Sequence, residues 1–293
     1  MRFGITGNAG KDSLWKALTD VIRILDQSGY AYVLHRDMAE MLATHGMAPS
    51  EETVAASNSA FIAAADIILS FGGDGTLLNT VAAFGQASKP ILGVNHGRLG
   101  FLANVEGSEL SSRLDLLRDG TFIVEERLVL EATCTSGSTL PVRFALNEFT
   151  VQRSGAAGLL GIRGLVDGRA MNTYSSDGLI ISTPTGSTAY SLALGGPIMA
   201  PGCGSVLITP IAPHTLTVRP VVLPETAEIQ IEVVDMDRPY IITADGVSYN
   251  GSDFPGPIRI ARAEHRVRLV RFKDQDYFST LRSKLMWGAR KQH

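Results

Sequence analysis

Apolar positions along the chain fall into short blocks whose spacing changes part-way through. Arg2-Phe3-Gly4-Ile5-Thr6 and Tyr30 to Leu34 read as strands. Between them Leu14, Leu18, Val21, Ile22 and Leu25 recur at the spacing of one helical face, which predicts a helix ending near Gly29. Small residues dominate from Met38 to Ala65, with a short helix before the apolar run Ile67-Ile68-Leu69-Ser70-Phe71. A helix from Thr76 to Phe84, a buried strand from Pro90 to Val94 and a helix marked by Leu110, Leu114 and Leu117, ending at Asp119-Gly120, continue the alternation. Strands alternating with helices predict a parallel sheet covered by helices, whose ligands gather beyond the carboxyl ends of the strands.

Past Thr121 the texture changes to short strands broken by Gly, Ser and Pro: Val129 to Thr135, Ala145 to Val151, Leu179 to Ser182, Val206 to Thr209, Ile229 to Val234 and Ile241 to Thr243. Ile258, Ile260, Val267 and Leu269 then alternate with Arg259, Arg266 and Arg268, which puts the arginines on a solvated face. Leu281, Leu285 and Met286 form a helix-like tail, expected to pack back on the first domain because an exposed Trp287 is costly. The expected fold is an α/β N-terminal domain with a parallel sheet, residues 1–120 plus the tail 272–293, and a larger, mostly-β C-terminal domain, residues 121–271.

Composition agrees with two domains, since 293 residues exceed what one hydrophobic core usually serves. Hydrophobic residues at 45% and charged residues at 19% mark a globular chain. A formal net charge of −3 argues against nucleic acid as the main partner. Cys134 and Cys203 are too few for a disulfide framework or a zinc site, which fits a reducing cytoplasm. No apolar run is long enough to span a membrane, and Gly7, Asn8, Gly10, Lys11 and Asp12 interrupt any signal-like segment, so a cytoplasmic location is expected. The six histidines show no transition-metal spacing.

Candidate chemistry centres on Gly72-Gly73-Asp74-Gly75-Thr76, where a strand ends and a helix begins. Glycines without a Cβ let backbone N–H groups approach an anion, and the helix N-terminus favours negative charge, so phosphate is the natural guest. Asp74 repels a phosphate unless a divalent cation intervenes or the carboxylate faces a proton to be removed. The bland alternative is an ordinary turn with Thr76 as a cap, and the motif alone leaves both open. Gly7-Asn8-Ala9-Gly10-Lys11 is not a nucleoside-triphosphatase phosphate loop, because Ile5 and Asp12 stand where that motif needs a glycine and a hydroxyl residue. Asn95 to Leu102 is a second glycine-punctuated turn on the same sheet edge.

In the second domain the string Asp177 to Ser191 carries many hydroxyls between a strand and a predicted helix, suited to sugar hydroxyls or phosphates or simply to local capping. Ser187 lacks the flanking glycines of a nucleophile elbow. Asn147-Glu148 pairs an amide with a carboxylate, a combination able to hold the two hydroxyls of a ribose, and Asp245-Gly246 ends a strand.

Taken in order, Gly72 to Thr76, Asn95 to Leu102, Asn147-Glu148, Asp177 to Tyr190 and Ala244-Asp245-Gly246 resemble the NAD kinase family, over nearly the whole chain. The short glycine motif is shared with diacylglycerol kinases and, loosely, phosphofructokinases. The string Asp177 to Tyr190 is far more specific, and Thr209 to His214 with Arg219-Pro220 also match. The resemblance implies a Rossmann-like first domain, a β-rich second domain and a homodimer or homotetramer. It implies transfer of the γ-phosphoryl group of ATP to the 2′-hydroxyl of the adenosine ribose of NAD, giving NADP. Mg²⁺ or another divalent cation arrives with ATP, without direct protein ligands. Asp74 is then the base, with Gly75 also against NAD, and Asn147 and Glu148 hold a ribose. Asp177, Thr188, Ala189, Tyr190, Ser191, Leu192, Ala193 and Ala212 line the NAD site, and Asp245 approaches the nicotinamide end from a neighbouring subunit. Gly72, Gly73, Gly75, Thr76 and Asn79 face the ATP phosphates. Asn79 stands where many relatives carry arginine after the glycine motif, and Ser175 where some carry it two residues before Asp177. The rivals are a lipid or sugar kinase with the same glycine motif and a non-catalytic NAD sensor.

Overall fold

The computed structural model describes residues 1–10, 14–95, 100–155, 158–235 and 238–287. The chain forms two compact units, Met1–Glu126 with Val267–His293, and Arg127–Arg266. Both boundaries lie inside the expected second domain, because Ile123–Arg127 and Val267–Arg271 are strands of the first unit's sheet. The second unit is consequently slightly shorter than the first.

In the first unit the sheet runs in the order Ala31–Leu34, Arg2–Gly7, Ile67–Phe71, Ile91–Asn95, Val267–Arg271 and Ile123–Arg127, with Val105–Glu106 also paired to Ile91–Asn95. Arg2–Gly7, Ile67–Phe71 and Ile91–Asn95 pair in parallel, in registers such as Phe3 with Ile67 and Leu69 with Leu92. Ile67–Phe71 is buried at every position, the mark of a central strand in a parallel sheet. The stripe read from the sequence is the buried face of the helix Leu14–Gln27, and Leu110, Leu114 and Leu117 are that of Leu110–Arg118. The stretch from Met38 to Ala65 holds two helices where the sequence pattern showed one. Arg36–Thr44 follows a His35 cap, and Asn58–Ala64 follows Ser57, whose hydroxyl accepts from the Ala60 N–H at 3.2 Å. The first of these buries Met38, Ala39, Met41 and Leu42, a short apolar face at helical spacing inside the stretch read as dominated by small residues.

The tail does return to the first unit. Phe272 is buried, the Arg113 guanidinium donates to both Asp274 oxygens at 2.9 and 2.7 Å, and Asn104 donates to Gln275 Oε1 at 2.6 Å. The helix Tyr277–Leu285 is capped by Asp276 and buries Leu281, but Trp287 is 52% exposed. The expectation that Trp287 anchors the tail is therefore corrected: Phe272 and the Arg113–Asp274 pair fasten it before the chain reaches the indole.

The second unit stacks two antiparallel sheets. One runs Arg169–Ser176, Leu160–Val166, Ile229–Val233, Ile258–Arg262, Leu130–Cys134, Phe144–Ala145. The other runs Val221–Pro224, Ser205–Ile211, Gly178–Ser182, Glu148–Arg153, Tyr240–Ala244, Val247–Asn250. Alternate residues of both, among them Ile162, Ile231 and Ile260 from the first and Phe149, Ile181 and Ile242 from the second, build a single core. This leaves the other face of the second sheet, with Glu148, Thr150, Ile180 and Ser182, turned away from that core. Among the described residues no helix is long and apolar enough to cross a membrane.

Candidate active site

The turn after Ile67–Phe71 is shaped by Gly72, whose φ of +149° favours glycine and whose Cβ would lie 2.3 Å from Thr76 Oγ1. A Cβ on Gly73 or Gly75 would meet nothing within 4 Å, so the two glycines front open space at the N-terminus of the helix Asp74–Phe84. Thr76 and Asn79, three residues apart on one face of this helix, line a cavity of about 490 Å³ with Thr6, Gly7, Asn8, Gly10, His35 and Asn58. The floor is held by Thr80, which donates to the Thr76 carbonyl at 3.0 Å and shares a 2.7 Å hydrogen bond with Ser70. His35 lies 2.9 Å from Asn58 Oδ1 through Nε2, and its Nδ1 accepts from the Asp37 N–H. Lys11, Asp12 and His96 to Leu99, named in the sequence reading, lie outside the described residues.

Asp74 does not stand free at the helix start. Its Oδ2 accepts from the Phe101 N–H at 2.8 Å, and Oδ1 accepts from Leu102 at 3.1 Å and Ala103 at 2.9 Å. Gly100 has to lack a side chain, since a Cβ there would sit 1.7 Å from Asp74 Oδ1. An ionised carboxylate offers about four lone-pair positions, so three N–H donors leave one for a ligand hydroxyl.

A matching arrangement stands in the second unit. Asp245 and Gly246, at φ +45° and +88°, make the two-residue turn between Tyr240–Ala244 and Val247–Asn250. The Asp245 carboxylate accepts from three consecutive N–H groups, Leu146 at 2.6 Å, Asn147 at 2.8 Å and Glu148 at 3.0 Å. Thr183 grips the same corner from its carbonyl side, donating through its N–H to Asn147 at 2.9 Å and through its hydroxyl to Leu146 at 2.6 Å. Gly186 packs so closely that a Cβ would be 2.2 Å from the Asn147 carbonyl oxygen. Asp245, expected at the nicotinamide end of a neighbouring subunit, thus spends its oxygens on the corner that presents Asn147 and Glu148.

The side chains on that corner are buried with unmet polar capacity. Asn147 Oδ1, Glu148 Oε2 and Ser182 Oγ have no hydrogen-bond partner, and Ser182 lies directly opposite Glu148 on the neighbouring strand. Burial, reinforced by the nearby Asp245 charge, pushes the Glu148 carboxyl up to about 8 from its ordinary 4.5. Burial also raises Asp245, against the pull of the N–H groups of Leu146, Glu148 and Asn147. At neutral pH Glu148 is therefore a carboxylic acid that donates one hydrogen bond and accepts others, where the sequence reading had a carboxylate that only accepts.

Much of the hydroxyl string serves local structure. Ser187 donates to the Pro184 carbonyl at 2.7 Å and accepts from Met199 N–H, Thr188 donates to Thr185, and Ser191 shares a 2.8 Å bond with Thr209. Ala189, Leu192 and Ala193 belong to the short turn and helix Tyr190–Ala193, in which Tyr190 is exposed and accepts from Gln152 at 3.3 Å. Asp177 accepts from Arg153 Nε at 2.6 Å. Ala212, at φ +43°, follows Ser205–Ile211. The structure thus gathers Gly72 to Thr76 and Asn79 in one unit, and Asn147, Glu148 and Asp245 in the other. Sequence reasoning did not name Arg153, and it held Ser182 and Thr183 only as members of the hydroxyl string; strand register sets Ser182 opposite Glu148, and the turn after that strand brings Thr183 to the Leu146 carbonyl.

Among the described residues no three His, Cys, Asp or Glu side chains group to hold a metal ion. Asp74, the acid of the glycine turn, has most of its capacity committed to N–H donors, so the turn presents no carboxylate cage for a divalent cation.

Comparison with known proteins matches residues 3–122 to the ATP-NAD kinase N-terminal domain and residues 146–272 to the ATP-NAD kinase C-terminal domain. The chain is 32% identical over 295 residues to the NAD kinase of Flavobacterium johnsoniae, covering the whole of both. It is 43% identical over 227 residues to that of Geobacter metallireducens, covering 77% of this chain and 80% of the relative. Among solved structures, an NAD kinase from Archaeoglobus fulgidus in complex with ATP is similar at a TM-score of 0.74 and 26% identity, over 98% of this chain and 99% of that one. Yeast NADH kinase complexed with NADH shares the fold at a TM-score of 0.87 and 24% identity, over 99% of this chain and 89% of that one.

Proposed function

The chain belongs to the NAD kinase family of phosphotransferases, and from that premise we propose that it transfers the γ-phosphoryl group of ATP to the 2′-hydroxyl of the adenosine ribose of NAD, with Asp74 as proton partner of that hydroxyl. The observation that carries the acceptor side is the pair of buried, unpartnered atoms Asn147 Oδ1 and Glu148 Oε2. Buried polar atoms without partners cost about 1–3 kcal/mol each, a cost that bound ribose hydroxyls relieve. Protonated Glu148 donates to one ribose oxygen and accepts from another, while the Asn147 amide does both.

Donor phosphates fit the open front of Gly73 and Gly75 at the helix N-terminus, with Thr76 and Asn79 beside them. A divalent cation comes bound to those phosphates and supplies charge neutralisation. In the step itself the 2′-oxygen bonds to the γ-phosphorus, the bond to the β–γ bridging oxygen breaks, and ADP leaves with that electron pair. The hydroxyl proton passes to the Asp74 carboxylate through its one uncommitted lone pair. A carboxylate is a much weaker base than a sugar alkoxide, so Asp74 orients the hydroxyl early and takes the proton late in a loose transition state.

Both cysteines are free thiols, which fits a cytoplasmic setting, and the working form is taken to be a homodimer or homotetramer. Incubation of the purified protein with ATP, Mg²⁺ and NAD is expected to yield NADP. Saturable NAD binding without product would favour a sensor instead, and phosphorylation of a lipid or sugar in its place would favour the other kinases. Gly100→Ala tests the grip on Asp74: forcing a Cβ against Oδ1 is expected to cost about 1–3 kcal/mol of stability and most of the turnover. Wild-type thermal unfolding and turnover in that variant would sink the close-contact argument.

A further inference from the structure

The turn that holds Asp74 is itself held from behind. Arg271, at the end of the strand Val267–Arg271, has a side chain only 11% exposed. Its Nη2 donates to the Phe101 carbonyl at 3.2 Å and its Nη1 to the Leu102 carbonyl at a longer 3.5 Å, while Nε donates to Glu125 Oε2 at 3.2 Å.

These carbonyls belong to the same peptide groups whose N–H bonds face Asp74. The Phe101 carbonyl and the Leu102 N–H share one peptide unit, and the Leu102 carbonyl and the Ala103 N–H share the next. Both N–H groups donate to Asp74 Oδ1. Two peptide units therefore run as parallel bridges from a guanidinium to a carboxylate oxygen. A cation on the carbonyl end polarises each amide and strengthens the hydrogen bond at its N–H end. The next residue is tied down as well, since Gln275 Nε2 donates to the Asn104 carbonyl at 2.9 Å.

We propose that Arg271 is a positioning residue for phosphoryl transfer, acting on Asp74 through the Phe101–Leu102 and Leu102–Ala103 peptide groups. The guanidinium fixes the plane of the turn, the turn fixes the Asp74 carboxylate, and the remaining lone pair on Oδ2 is thereby aimed at the acceptor hydroxyl. Arginine suits this task better than lysine, because its planar fork reaches two carbonyls and a carboxylate at once. The inference rests on the reading of Asp74 as the hydroxyl's proton partner.

The test is steady-state kinetics of Arg271→Gln and Arg271→Lys beside Asp74→Asn, with thermal unfolding of each. Arg271→Gln is expected to lower kcat on the order of 10²-fold while KM for NAD and for ATP stays within about twofold, the signature of misplacing a reacting group. Arg271→Lys, which keeps the charge but not the fork, is expected to recover part of that loss. A merely structural arginine would lower the unfolding temperature without this split between kcat and KM. Wild-type kcat in Arg271→Gln with Asp74→Asn inactive overturns the inference alone, as does a rise in KM at unchanged kcat. Full turnover in Asp74→Asn removes the reading of Asp74 and this inference with it. If Arg271→Gln does not fold, the Lys variant decides, and wild-type kcat there overturns the proposal.

Discussion

Asp74→Asn is expected to lose turnover by about 10²- to 10⁴-fold while still binding NAD, the range set by removing a general base from a reacting hydroxyl. The substitution keeps the shape of the side chain and removes its ability to take a proton. It also disturbs the turn behind it, because the carboxylate now accepts three N–H bonds, from Phe101, Leu102 and Ala103. An amide oxygen placed at the Oδ1 position still serves Leu102 and Ala103, but the amide nitrogen then points donor to donor at the Phe101 N–H. That mismatch adds about 1–3 kcal/mol of instability. The two effects separate cleanly: unfolding reports the turn, kcat reports the proton, and calorimetric titration with NAD reports the acceptor site. Turnover within about tenfold of wild type would remove Asp74 from the chemistry, since even modest general-base catalysis exceeds that factor.

The parts of this molecule that were legible beforehand are those written in local period. Leu14, Leu18, Val21, Ile22 and Leu25 specify a helical face, and they are buried together. Ile67 to Phe71 followed by glycines specifies a buried strand feeding a tight turn, and the strand and turn stand there. The hairpin of Leu160–Val166 and Arg169–Ser176 went unseen because Gly161 and Gly164 break its alternation, although Asp167-Gly168, at φ +50° and +74°, is a two-residue hairpin turn signal in plain view. Ser182 was invisible as a polar member of the ribose corner, since only the register that sets it opposite Glu148 gives it that place. Arg271 meets Phe101 and Leu102 across some 170 positions of sequence, and no local pattern encodes such a meeting. Its arginine sits in an alternating strand whose other arginines read equally well as a solvated face.

Glu148→Gln is expected to stabilise the protein in alkaline solution and not in acid. In the unfolded chain Glu148 ionises near 4.5, and in the folded protein burial and the neighbouring Asp245 charge hold its proton until about 8. Between those values the native state carries a proton that the unfolded state has released, so stability falls as pH rises through this window. The favourable contribution of the neutral acid is complete below about pH 4.5 and lost above about pH 8, and the difference corresponds to about 5 kcal/mol at most. Glutamine fills the same volume, keeps a donor and an acceptor, and has no charge to bury. Urea unfolding of wild type and variant is therefore expected to agree near pH 4 and to diverge by several kcal/mol near pH 9, with the variant the more stable. Of the two forms of the Glu148 carboxyl only the protonated acid donates to a ribose oxygen, so KM for NAD in the wild type rises above about pH 8, whereas the glutamine variant, which keeps its donor at every pH, stays flat. A stability difference that does not change with pH would show that Glu148 is ionised in the folded protein, and the ribose would then be held by a carboxylate that only accepts.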